Sequence, residues 1–183
     1  MLKLTPKCVA YIASEEAVGL SAYLDSAGIW TWSIGIAESG GHKVRQYKDK
    51  PQSIDICLKA AIEMIEAQYL PVIAKALPNL EENQLAASLS FLWRNGQGNF
   101  RTAQWVKDFL DGKPTSAKAD WAFWTNHGNE SARCKREMAL FFNDSWPANM
   151  RIRVFTAQGP HYLPVGGKMM DIMPALQQIM GGA

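Results

Sequence analysis

The chain has 183 residues, 48% of them hydrophobic and 20% charged, with a formal net charge of +2. That length fits one domain and that composition supports a buried core, which excludes a disordered chain and removes any need for disulfide or metal staples. The small positive surplus is too weak a field to argue for nucleic acid or a membrane surface, and the longest nearly apolar run, residues 29–37, falls far short of the ~20 residues of a bilayer span.

In chain order, Lys3 and Lys7 precede no continuous apolar stretch before Glu15 and Glu16, so no signal peptide is expected. Thr5-Pro6 opens a short predicted helix over residues 7–16. Gly19 and Gly28 bracket a change of period. From residue 29 to 36 the side chains alternate, with Trp30, Trp32, Ile34 and Ile36 on one face and Ile29, Thr31, Ser33 and Gly35 on the other, which is strand periodicity. Residues 38–42 form a turn or loop, and the basic run at residues 43–50 reads as a solvated loop. Ser53 caps a helix carrying Ile54, Leu58, Ile62, Ile65 and Tyr69, which ends or kinks at Pro71. Asn79 with Glu82 resembles a capping box ahead of Leu85, Leu89 and Leu92. Thr102 precedes a helix with Trp105 and Phe109 closed by Gly112, Thr115 or Ser116 opens one holding Trp121 and Trp124, and another covers residues 131–142. After Trp146-Pro147, prolines and glycines predict a loop-rich tail ending in a short helix over residues 174–180. The sum is an α+β fold: one small sheet near the N-terminus and a helical body.

Much familiar chemistry has no support. Cys8, Cys57 and Cys134 stand far apart, without disulfide or zinc spacing. His42, His127 and His161 form no metal pattern and read as structural or solvent-facing. There is no P-loop, GxGxxG or GxSxG. Most of the seven tryptophans, Trp121 and Trp124 among them, read as core, and Arg133 with Glu137 reads as a structural i,i+4 ion pair. The informative segment is residues 16–31, with Glu16 at a helix end and Asp25 nine residues on, in a turn before a hydroxyl-bearing strand. Glycosidic cleavage wants such a pair: one carboxyl to protonate the leaving oxygen, one to direct water or stabilise positive charge on the sugar. On spacing alone, a surface glutamate and a turn aspartate explain the pair more simply.

The segment resembles the signature of the phage-type lysozymes, glycoside hydrolase family 24, roughly E-G-x-x-L-x-A-Y-x-D-x-x-G-x-x-T-I-G-x-G. Glu16, Leu20, Ala22, Tyr23, Asp25, Gly28 and Thr31 match without a gap. Gly96, Gly98 and Phe100 resemble the family's G-x-G-x-F segment, and Gly128, Arg133, Glu137, Leu140 and Phe141 its last helix, so the resemblance covers residues 12–142 and leaves 143–183 as an extension. It implies one catalytic domain over 1–183, mostly helical, with the small sheet in an N-terminal lobe and a cleft between lobes. It implies a muramidase cutting peptidoglycan between N-acetylmuramic acid and N-acetylglucosamine, with no cofactor or metal, most simply as a phage endolysin. Glu16 would be the general acid, Asp25 the carboxylate directing water, and Thr31 its helper, in an inverting geometry with carboxyl groups roughly 6.5–9.5 Å apart. Substrate contacts would come from Ser33, Arg94, Gly96 and Gly98, Arg94 standing where the family has an asparagine or glutamine. The expected partner is peptidoglycan alone, bound by a monomer without nucleic acid or membrane insertion, and held in the host cytoplasm until a holin-like pore releases it.

Departures from the family pattern set further expectations. Ala17 replaces the usual glycine after the acid, and the family's T-I-G is two residues longer as Thr31-Trp-Ser33-Ile-Gly35, so Thr31 and Ser33 share a face and either could serve the water. The ungapped alignment favours Thr31. Glu15 competes with Glu16 on helical periodicity, and the offset to Asp25 favours Glu16. A lytic transglycosylase, or a silent wall-binding or virion protein keeping only the fold, are the competing readings.

Overall fold

In the computed structural model, which describes residues 2–125, 128 and 131–181, the elements run α1 (Pro6–Glu16), β1 (Val18–Leu24), β2 (Trp30–Ser33), β3 (Ile36–Ala37), α2 (Ile54–Met64), α3 (Leu70–Ala76), α4 (Glu82–Thr102), α5 (Gln104–Leu110), α6 (Pro114–Trp121), α7 (Ser131–Asn143), β4 (Ile152–Phe155), β5 (Lys168–Met170) and α8 (Met173–Gly181). The fold is α+β. The chain divides into two compact units, a sheet unit of residues 9–64 with 149–183 and a helical unit of residues 1–8 with 65–148.

The sheet unit holds one five-stranded sheet in the order β3-β2-β1-β4-β5. Its central strand, β1, pairs antiparallel with β2 and parallel with β4. The β1–β2 register shifts between Gly19↔Ser33 and Tyr23↔Thr31, so Leu20, Ser21 and Ala22 stand against Trp32 alone. Such a bulge strands backbone groups that must find other partners. Here the Leu20 carbonyl accepts from the Trp32 indole N–H (3.2 Å) and the Gln52 N–H (2.8 Å). The Ser21 hydroxyl donates to the Ala157 carbonyl (2.8 Å) and accepts from its N–H (3.0 Å). The Ser53 cap holds, its hydroxyl accepting from the Ile56 N–H, and α8 packs on α2 through buried Leu176.

Two expectations change in this unit. The predicted strand over 29–36 is a hairpin, because Ser33 (φ 58°) and Gly35 (φ 80°) turn left-handed and send Ile36 back as β3, paired with Trp32. The tail is less irregular than its prolines suggest: β4 and β5 extend the sheet. Strands of four and three residues are too short to print a period, and β4 pairs with residues more than a hundred positions away.

In the helical unit, an aromatic core surrounds Phe91, with Trp105 and Trp121 stacked at 4.0 Å and Phe100 and Phe141 edge-on to Trp105. The capping box at α4 uses Glu81 and Gln84, two residues later than Asn79 and Glu82. Glu82 instead accepts from the Thr5 hydroxyl at 2.6 Å. The kink expected at Pro71 is a π-helical turn over Ile65–Tyr69, with Pro71 in the first turn of α3 where its missing N–H costs nothing. The helix expected to hold Trp124 ends at Trp121. Of the three histidines, His127 lies outside the described residues. Among the described residues, no helix is long and apolar enough to cross a membrane.

Candidate active site

Glu16 is the last residue of α1, and the chain reverses into β1 through Ala17, whose φ of 67° lies in the left-handed region. The Ala17 N–H still donates to the Ala13 carbonyl (2.8 Å), closing the last helical turn. An L side chain there costs about 1 kcal/mol, which a glycine would not carry. The Ala17 methyl packs on a small cluster of Tyr23, Phe155 and Ala157. Gly19 is required by the same cluster: a Cβ there would come within 2.7 Å of the Tyr23 ring and 3.3 Å of Phe155.

Asp25 follows β1 and organises its own turn. Its backbone N–H donates to the Ile29 carbonyl (3.0 Å) and its carbonyl accepts from the Gly28 N–H (3.0 Å). Its Oδ1 accepts from the backbone N–H groups of Ala27 and Ile29, both at 2.9 Å, an Asx-type turn that fixes the carboxylate plane. Oδ2 then faces the Thr31 hydroxyl at 3.4 Å, which also has the Ile29 carbonyl within reach at 3.1 Å. Thr31 is buried beneath the carboxylate, whereas Asp25 itself is half-exposed. One oxygen is committed to the fold, and the other is oriented by the Thr31 hydroxyl.

Tyr23 ties the two acids together. It sits opposite Thr31 in the sheet and packs edge-on against Phe155 at 5.0 Å. Burial pushes its phenol pKa up, and the negative charges of Glu16 and Asp25 push it further, while Arg153 opposes them. Both carboxylates therefore bear on one neutral hydroxyl. Two carboxyl groups, one leaving a helix end and one held by an Asx turn, can divide proton donation and water activation between them. Among the described residues, no three His, Cys, Asp or Glu side chains gather as metal ligands.

The sheet unit thus holds Glu16, Asp25 and Thr31, and brings Thr31 to Asp25. Ser33, expected to share their face, is fully buried with its hydroxyl donated to the Cys57 carbonyl at 2.6 Å. Its left-handed backbone breaks the alternation on which that expectation rested. Glu15 and Glu16 are both half-buried, so burial does not separate them. Arg94, Gly96 and Gly98 belong to the helical unit. Arg94 is engaged internally: Nη2 donates to Glu137 Oε2 (2.9 Å) and Nη1 to the Trp124 carbonyl (2.8 Å). The expected Arg133–Glu137 pair is present at 3.1 Å, so one buried carboxylate holds two guanidinium groups. Gly96 (φ 78°) breaks α4, and side-chain space is open at both Gly96 and Gly98. Sequence reasoning gave no part to Arg153 and Phe155, which lie beyond the family-like region and on a strand too short to detect.

Against known proteins, the family model described as phage lysozyme matches residues 13–137. No curated protein matches the chain in sequence. Among solved structures, the endolysin of the Escherichia coli O157:H7 phage FAHEc1 superposes with a TM-score of 0.68 at 18% identity, over 80% of this chain and 97% of that one. A mutant of P22 lysozyme superposes at 0.64 with 21% identity, over 78% and 100%. The muramidase domain of SpmX from Asticaccaulis excentricus gives 0.61 with 20% identity, over 78% and 99%. At these identities the likeness is one of fold.

Proposed function

Since the chain belongs to the phage lysozyme family, we propose that Glu16 and Asp25 cleave the β-1,4 bond between N-acetylmuramic acid and N-acetylglucosamine. Family membership makes the protein a glycoside hydrolase acting on peptidoglycan. In our reading, Glu16 donates the proton to the departing glycosidic oxygen. Asp25, through Oδ2, takes a proton from water attacking the opposite face of the sugar, which inverts the anomeric carbon. Thr31 orients Oδ2, and through it the water. The observation that supports this most directly is the Asp25 carboxylate, with Oδ1 held by two backbone N–H groups and Oδ2 turned to the Thr31 hydroxyl at 3.4 Å. We take Gly96 and Gly98, where nothing crowds an added Cβ, as further substrate contacts. No cofactor enters the scheme. We take the whole chain as one catalytic module that works as a monomer, made in the host cytoplasm and reaching the wall through a holin-like pore.

The test is digestion of purified sacculi with mass analysis of the products. Wild type should release reducing muramic ends, Glu16→Gln should lose about 10²–10⁴-fold in rate, the usual worth of a general acid, and Glu15→Gln should stay near wild type. Anhydro ends would replace this mechanism with that of a lytic transglycosylase. Loss of activity in Glu15→Gln alone would move the acid by one residue. Binding to sacculi without any turbidity loss would remove the enzymatic reading.

A further inference from the structure

We infer that Arg153, on a strand outside the family-matched residues, binds a carboxylate of the substrate beside Glu16 and Asp25. This rests on the reading that peptidoglycan is cut on this face of the sheet, and it gives the C-terminal extension a specificity role.

The placement follows from strand register. Gly19 pairs with Phe155 across the parallel β1–β4 ladder, and Tyr23 pairs with Thr31 across β1–β2. Directly paired residues project to one face, as do residues two apart along a strand. The Tyr23 ring fills the space a Gly19 side chain would take and abuts Phe155, so Thr31, Tyr23, Phe155 and Arg153 occupy one face. The Arg153 guanidinium lies 4.9 Å from the Phe155 ring centroid. Its charge is felt at the same Tyr23 hydroxyl that feels Glu16 and Asp25.

Its bonding leaves it available. Nη1 donates to the Pro164 carbonyl at 2.9 Å, with the Gly166 carbonyl at 3.5 Å, and no carboxylate pairs with Arg153 among the described residues. The contrast with Arg94 and Arg133, both spent on Glu137, is direct. Arg153 is half-exposed, with one side of its planar fork on an aromatic ring and the Nε and Nη2 donors facing no protein acceptor among those described. Such a fork suits bidentate binding of a carboxylate. Peptidoglycan carries free carboxylates on its peptide stems, and on a muramoyl lactyl group only where the amide link to the stem has been cut. Two acidic catalytic side chains repel such a polymer, and a cation on the same face offsets that repulsion.

The experiment compares wild type with Arg153→Gln and Arg153→Lys on untreated sacculi, on sacculi whose carboxyls are converted to neutral amides, and on strands freed of peptide stems by an amidase. Gln retains a donor for the Pro164 carbonyl without charge, so it keeps the loop contact, and thermal unfolding checks the fold of each variant. On untreated sacculi Arg153→Gln should raise KM about tenfold, the loss of one hydrogen-bonded charge, with kcat little changed, and Arg153→Lys should recover part of it. On the amidated substrate wild type and Arg153→Gln should coincide. The amidase uncovers the lactyl carboxylate that the stem had capped as an amide, so a gap that vanishes on stem-free strands assigns a stem carboxylate, and one that persists there shows that Arg153 also takes the uncovered lactyl group. An equal KM penalty on amidated substrate, or none on untreated sacculi, overturns the inference. Co-sedimentation of Glu16→Gln with sacculi, with and without Arg153→Gln, reads binding without turnover. Absence of cleavage by wild type would therefore fell the proposed reaction, while this binding comparison still decides Arg153.

Discussion

The two units use the same functional group in opposite ways. In the helical unit, Glu137 is 0% exposed and saturated: Oε1 accepts from the Ser90 hydroxyl (2.7 Å) and Arg133 Nε (3.1 Å), and Oε2 from Arg94 Nη2 (2.9 Å). In the sheet unit, Asp25 commits one oxygen to backbone donors and leaves the other beside a lone hydroxyl. Backbone strain divides the same way. Of the five non-glycine residues with positive φ among those described, Ala17, Ser33, Asp49 and Tyr162 belong to the sheet unit and only Asp144 to the other. Buried charge that is fully paired fixes structure, whereas strain tends to gather where side chains are aimed for chemistry.

The comparison can be broken most forcefully at Glu137. Glu137→Ala would leave Arg94 and Arg133 without their shared carboxylate and should cost about 3–5 kcal/mol, measured by denaturant unfolding. Specific activity per folded molecule should hardly move; a loss of rate with stability intact would erase the division of labour. Gly19→Ala probes the other side. Its methyl must displace the Tyr23 ring, so about 1–3 kcal/mol of overpacking is expected, together with a fall in sacculus hydrolysis because Tyr23 pairs with Thr31, which holds Asp25 Oδ2. The smallest effect is expected at Ala17. Ala17→Gly should raise thermal stability by about 1 kcal/mol or less, relief of left-handed strain offset in part by the methyl lost from the Tyr23–Phe155 cluster. A drop in stability would mean that the methyl contact outweighs the strain.

Legibility in the sequence followed local encoding. The exit of α1, the Ser53 cap, α5 with its Gly112 stop and α7 were readable, because caps and helical periods act over a few residues. Glu16, Asp25 and Thr31 were singled out for a different reason: fixed offsets in and around one short bulged hairpin survive as a motif. β1 itself was not, since its bulge and its burial on both faces erase alternation between Val18 and Leu24. Ser33 misled because alternation says nothing of a left-handed residue at the strand end. Arg94 misled because its alignment position carries no information on Glu137, 43 residues away. Arg153 and Phe155 were invisible, as only the fold brings β4 alongside β1.

The bond between Ser21 and Ala157 spans 136 positions of chain. Contacts so distant form late, because the intervening loop must first be closed against its entropy. A ribosome that has delivered everything through α7 has released Glu16, Asp25 and Thr31 but not the neighbour of the strand joining them. The sheet around β1 is thus completed only after residue 157 has been made. Copies stopped short of that point lack one flank of the site proposed above.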